Sequence, residues 1–82
     1  MNQYIATFYA HFGAIRYKKF CEKQGIYAKI MPVPRTLSSS CGTCVLYTAD
    51  NYICDDTHID EIEQIVMVKE DGYEQVFSSM DD

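Results

Sequence analysis

The run from residue 32 to residue 44 constrains the fold of this chain more than any other feature. It reads Pro-Val-Pro-Arg-Thr-Leu-Ser-Ser-Ser-Cys-Gly-Thr-Cys. Proline fixes φ and lacks a backbone donor, so Pro32 and Pro34 end a strand and hold the chain extended. The serines and the glycine that follow favour a polar loop. The run therefore connects a strand that ends near Pro32 to a strand that begins near Thr43.

The first half alternates between strand and helix patterns. Residues 3–8 are rich in β-favouring side chains and predict a strand, as do residues 26–31. Between them, residues 10–24 carry one apolar stripe at helical spacing, and Gly25 allows a left-handed end to that helix. The stripe consists of Ala10, Ala14, Tyr17 and Cys21.

The second half predicts a strand at residues 43–48, a helix and a last strand at residues 73–77. Thr57 is a good N-cap, and an apolar stripe at spacings of three and one supports the helix that follows it. Residues 65–77 also fit a hairpin, because Asp71-Gly72 is a turn pair, but the apolar period favours the helix. The stripe consists of Ile59, Ile62, Ile65 and Val66.

This order of elements predicts an α+β fold. Strand, helix, strand, strand, helix, strand describes a ferredoxin-like split βαβ sandwich, with a four-stranded antiparallel sheet and two helices on one face. A chain of 82 residues forms a single domain, and we expect a disordered tail at residues 78–82.

Composition and charge exclude several classes of partner. Seven Lys and Arg stand against twelve Asp and Glu, for a net charge of −5, and nucleic-acid binding needs a basic face. The longest apolar stretch is too short to cross a membrane, and the first residues lack the features of a signal peptide. We therefore expect a cytoplasmic protein with neither a nucleic-acid nor a membrane partner, and no motif indicates a cofactor.

Cys41 is the best candidate for a reactive thiol. It lies beside Gly42 in a polar loop that also carries Arg35, and thiols near cations or backbone N–H groups ionise more readily. We expect it to react faster than Cys21, which lies on the buried stripe, and faster than Cys44, which begins a strand. The predicted site residues are Cys41 and Cys44 for the chemistry, with Arg35, Ser38, Ser39, Ser40 and Gly42 binding the substrate.

The same run resembles the signature of a known family. Pro32-x-Pro34-Arg35-x-x-Ser38-Ser39-Ser40-Cys41-Gly42 is similar to the hallmark of small bacterial proteins described as selenium/sulfur carrier-like. The resemblance implies that Cys41 accepts a sulfur or selenium atom as a persulfide or selenosulfide and passes it on. Its partners would then be protein donors and acceptors of that atom, and Cys44 could release the cargo by closing a disulfide.

Two other uses of the cysteines remain open. Cys41-Gly-Thr-Cys44 has the spacing of a thiol-disulfide redox pair, although a strand would send the two thiols to opposite faces. Adding Cys54 and His58 gives the local spacings of a structural zinc site.

A third alternative is an interaction module without chemistry of its own. Phe12 and Ile15 lie off the buried helical stripe, and they predict a weak homodimer or a partner-binding surface. No Ser-His-Asp or paired-carboxylate arrangement is evident in the sequence. A carrier or accessory protein is therefore favoured over a stand-alone enzyme.

Overall fold

The structure is a computed structural model that describes residues 1–79. Within these residues, five strands form a single antiparallel sheet, accompanied by one α-helix and one short 3₁₀ segment. The elements in chain order are β1 (Asn2–Phe8), α1 (His11–Lys23), β2 (Ala28–Pro32), β3 (Thr43–Ala49), the 3₁₀ segment (Asp56–Glu61), β4 (Ile62–Lys69) and β5 (Gly72–Ser78).

The sheet has the strand order β2-β3-β1-β4-β5, and all neighbouring strands are antiparallel. β3 therefore lies between β1 and β2, the two strands that α1 connects. The predictions for the first helix and the first three strands are confirmed, with boundaries within two residues. Cys21 lies on the buried side of α1, as its place on the apolar stripe predicted.

One face of the sheet packs against α1 around three aromatic rings. The Tyr17 ring centroid lies 5.3 Å from that of Phe8 and 5.6 Å from that of Tyr47. The Tyr17 hydroxyl donates a hydrogen bond of 2.7 Å to the carbonyl of Ile53, whose own amide donates to the Tyr47 hydroxyl at 3.2 Å. These bonds satisfy the polar ends of both tyrosines inside an apolar core.

The opposite face of the sheet is also apolar. Ile5, Cys44 and Val66 are buried there, although α1 lies on the other side. Residues 33–42, which we call the motif loop, cover this face by packing Val33 and Leu37 against it. The sequence run that carries the candidate chemistry is therefore part of the hydrophobic core.

The prediction of a four-stranded sheet with two helices is wrong. The region expected to form the second helix contains the short 3₁₀ segment and β4, and β4 and β5 form the hairpin that was the alternative. A shift in the β1–β4 register explains the helical period, because Thr7 pairs with Gln64 while Phe8 pairs with Ile62. Glu63 is the extra residue of a β-bulge, so Ile62 and Ile65 face the same core at a spacing of three.

The end of the described chain remains bonded to the sheet. β5 ends at Ser78, and the Ser79 amide donates to the Glu63 carbonyl at 3.2 Å. Of the tail predicted at residues 78–82, residues 80–82 lie outside the described part of the chain. Among residues 1–79, we find no helix with both the length and the apolar character needed to span a membrane.

Tyr17→Phe should destabilise the protein by about 1–2 kcal/mol, because it leaves the partly buried Ile53 carbonyl without its donor. Tyr27→Phe is the matched control, since Tyr27 is 76% exposed and its change should be nearly neutral. Urea denaturation of both variants measures the difference. Equal stabilities for the two variants would contradict this account of the core.

Candidate functional site

A glycine and a strand-like hydrogen bond close the motif loop at its base. The Val33 amide donates to the Gly42 carbonyl at 3.1 Å, which extends the β2–β3 pairing by one step. Gly42 has φ of +73°, a left-handed conformation that a side chain disfavours. A second turn, closed by the Leu37 amide on the Pro34 carbonyl at 3.0 Å, directs Leu37 toward the sheet.

Cys41 lies at the edge of the helix-side core, partly exposed to solvent. Its thiol donates to the Thr43 carbonyl at 3.4 Å, and the Ser39 hydroxyl lies 4.0 Å from its sulfur. The thiol is thus accessible on one side and held by polar groups on another. This combination suits a nucleophile that must meet a partner without being buried.

Thr43 connects this thiol to the start of α1. Its hydroxyl lies 3.1 Å from Nδ1 of His11, the first residue of the helix. The residue before the helix is Ala10, whose side chain cannot cap the N-terminus, and no acidic residue occurs in the first turn. The first turn of α1 therefore supplies no negative charge of its own to the positive end of the helix dipole, which favours an anion nearby.

Glu63 anchors the motif loop to the sheet. Its carboxylate accepts from the Ser40 amide at 3.3 Å, from the Ser40 hydroxyl at 2.8 Å and from the buried Thr7 hydroxyl at 3.2 Å. Sequence reasoning missed this residue because it placed Glu63 in a helix. It also missed the contact between His11 and Thr43, because only the tertiary structure brings the start of α1 close to the start of β3.

The other predicted binding residues occupy separate positions. The Ser39 hydroxyl donates to the Phe8 carbonyl at 3.3 Å, and the Ser38 carbonyl accepts from Gln64 at 3.5 Å. Arg35 lies exposed on the 34–37 turn, and its guanidinium makes no hydrogen bond or ion pair within residues 1–79. Because the Ser40 amide donates to a carboxylate, it is not directed at the Cys41 sulfur.

The remaining cysteines have thiols whose pKa is raised by burial, and two of them lie fully inside the core. Cys21 and Cys44 are 0% exposed, and burial raises the pKa of their thiols to about 12 and about 11. Burial also raises the pKa of Cys54, with a further contribution from Asp56. All four cysteines are free thiols.

The two thiols of Cys41-Gly-Thr-Cys44 do not share a face. Cys41 packs against the helix-side core, whereas Cys44 packs on the opposite face, with its thiol 3.7 Å from the Pro32 carbonyl. Across the described part of the chain, no group of three or more His, Cys, Asp or Glu residues is arranged to hold a metal ion. The candidate ligands Cys54 and His58 therefore do not assemble with this pair into such a site.

Comparison with known protein families decides the relationship of this chain. Residues 3–78 match the family described as Putative Se/S carrier protein-like. The chain belongs to this family. Neither the curated proteins nor the solved structures contain a match. The resemblance to the Se/S carrier-like family that the sequence suggested is thereby confirmed over nearly the whole chain.

The buried thiol of Cys44 should make the stability of this Se/S carrier-like protein decrease at alkaline pH. The raised pKa of Cys44 means that the folded protein keeps a proton that the unfolded chain loses between about pH 9 and about pH 11. The free energy of unfolding should therefore fall across this range, with Cys44 contributing up to about 1 kcal/mol per pH unit.

Urea denaturation at several pH values between about 8 and 11 tests this contribution. Cys44→Ala should flatten the decline without removing it, because burial also raises the pKa of Cys21 and Tyr47. Val45→Ala, at a neighbouring buried position with no titrating group, should lower stability by the same amount at every pH. An undiminished slope in Cys44→Ala would contradict the assignment.

Proposed function

We propose that this protein carries sulfur or selenium on the thiol of Cys41. The observation that supports this most directly is the contrast between the four cysteines. Cys41 is partly exposed in the motif loop, whereas Cys21 and Cys44 are fully buried and burial raises the pKa of Cys54. Membership of the Se/S carrier-like family supports the same cargo.

The proposed transfer is an exchange that needs no external oxidant. The Cys41 thiolate attacks the terminal sulfur of a donor persulfide, R–S–SH, and a new S–S bond forms while the donor's S–S bond breaks. The donor leaves as the thiolate R–S⁻, and Cys41 becomes Cys–S–SH. An acceptor nucleophile then takes the terminal sulfur by the same displacement and restores the Cys41 thiolate. A donor R–S–SeH would transfer selenium in the same way.

The residues around the thiol have separate roles in this proposal. The start of α1, beside Thr43, favours the negative charge on the terminal atom of the cargo, and Ser39 holds the loop near the sulfur by donating its hydroxyl to the Phe8 carbonyl. Gly42 gives the loop its left-handed turn, and Glu63 holds Ser40, the residue before Cys41. The exposed Arg35 is available to an anionic group of the donor or acceptor.

Cys44 has no direct part in the transfer that we propose. It is 0% exposed on the other face of the sheet, so a disulfide with Cys41 would require β3 to rearrange.

A carrier of this kind has to keep its thiols reduced, which favours the cytoplasm.

We propose that the donor protein docks at the beginning of α1. Phe12 is 61% exposed and Ile15 is 39% exposed, and both follow His11, which Thr43 connects to the thiol. A donor that reaches Cys41 would therefore cover this apolar surface. The Arg16 guanidinium lies 4.3 Å from the Phe12 ring centroid and is paired with Glu61 at 3.0 Å, so the charge beside this surface is largely balanced and the apolar side chains are its main feature.

Cys41→Ser should abolish sulfur loading, whereas Cys54→Ser should leave it intact. Reduced protein is incubated anaerobically with glutathione persulfide, and intact-mass analysis detects the addition of one sulfur atom. Peptide mass spectrometry then assigns the modified cysteine. Loading of the Cys41→Ser protein, or loading of wild type on Cys54 alone, would contradict the proposed carrier site.

Phe12→Ser should slow transfer from a protein persulfide donor without slowing loading from glutathione persulfide, because only the protein covers the docking surface. Tyr27→Ser is the control, since Tyr27 is an exposed aromatic residue (76%) beyond the other end of α1. Sedimentation of wild type and both variants at several protein concentrations tests the alternative that this surface forms a homodimer. A concentration-dependent dimer that Phe12→Ser disrupts, with unchanged donor transfer, would assign this surface to self-association.

A further inference from the structure

The carboxylate of Glu63 holds the loop that carries Cys41. One oxygen, Oε1, accepts from both the Ser40 amide and the Thr7 hydroxyl, and the other, Oε2, accepts from the Ser40 hydroxyl. Thr7 is 0% exposed, so one end of this connection is fixed inside the sheet. The other end is the residue that immediately precedes the candidate thiol.

The backbone of β4 is arranged to present this carboxylate. Glu63 is the extra residue at the register shift between β1 and β4. β-bulges re-aim side chains and are common beside functional sites. The Glu63 carbonyl also accepts from the Ser79 amide and hydroxyl, so the end of the described chain secures the bulge. Without the bulge, the residue opposite Phe8 would be Glu63, and its side chain would change faces.

We propose that Glu63 is a positioning residue that latches the motif loop and keeps Cys41 half-sheltered against the core. This inference rests on the proposed function, in which Cys41 holds the cargo. The hydrogen bonds from Ser40 to Glu63 limit access to the Cys41 sulfur until a partner protein forms hydrogen bonds with Ser40 in their place. Because Ser40 is exposed, a docked protein can reach it and release the loop.

The latch predicts a specific order of alkylation rates at Cys41. Glu63→Ala removes all three hydrogen bonds, so iodoacetamide should react with Cys41 at least about tenfold faster, since the loss of even one bond to a charged group corresponds to about that factor. Glu63→Gln keeps Oε1 as an acceptor and can donate to the Ser40 hydroxyl, so its rate should stay within about twofold of wild type. Ser40→Ala, which retains the backbone bond, should lie between them.

Rates are measured for each cysteine by peptide mass spectrometry in the same sample at neutral pH. Cys54, also partly buried, provides the internal control, and its rate should not change in any variant. Glu74→Ala is the matched carboxylate control, because Glu74 pairs with Lys69 near the turn of the β4–β5 hairpin, at the other end of β4 from Glu63. It should leave the Cys41 rate unchanged.

An unchanged or slower Cys41 rate in Glu63→Ala would overturn the latch. So would a parallel rise at Cys21 and Cys54, which would show that the whole domain had loosened. If Glu63→Ala does not fold, the Ser40→Ala and Glu63→Gln comparison decides, and equal Cys41 rates in those two variants would overturn the inference. Alkylation needs no sulfur transfer, so a latch without cargo loading would refute the proposed function alone.

Discussion

The arrangement of this molecule depends on a sheet with two apolar faces and a single α-helix to cover them among the described residues. α1 buries one face around Tyr17, and the motif loop has to bury the other by packing Val33 and Leu37 against it. Apolar burial is the main favourable term in folding, so this loop cannot move freely as a whole. The motif loop, which carries Cys41, is thereby held by the core at one end and by Glu63 at the other.

This double use of the loop explains why Cys41 in the loop and Cys44 in β3 differ. β3 begins at Thr43, and from there side chains alternate between the faces, so Cys44 points to the buried face beneath the loop. Cys41 precedes the strand and Gly42 turns the backbone between them, which leaves the Cys41 thiol at the edge near α1. Of the two thiols in Cys41-Gly-Thr-Cys44, that of Cys44 therefore packs in the core, and that of Cys41 lies at the surface.

The first half of the chain was predictable because its patterns agree with one another. The stripe that ends in Cys21 has the helical period, and Gly25 adopts the left-handed conformation expected after the helix, with φ of +76°. In the second half, β3 and β5 were predicted but β4 was not, because the bulge at Glu63 places Ile62 and Ile65 on one face at a helical spacing. A period taken from the sequence cannot distinguish a helix from a bulged strand over so few residues.

The candidate site was predictable to a similar extent. The loop and Cys41 followed from the polar composition of residues 33–42, which needs no knowledge of the fold. The surrounding contacts did not, because Glu63 reaches Ser40 from 23 residues away and His11 reaches Thr43 from 32 residues away. The position of Arg35 depends on the 34–37 turn, which presents its side chain to solvent and not to the thiol.

The most direct test of the central claim is the rate of iodoacetamide alkylation at each cysteine of the reduced wild-type protein near neutral pH. The account predicts that Cys41 reacts first, at least about tenfold faster than Cys54, with Cys21 and Cys44 slower still because burial disfavours their thiolates. If Cys54 reacts as fast as Cys41, or if Cys44 reacts first, Cys41 is not the carrier thiol.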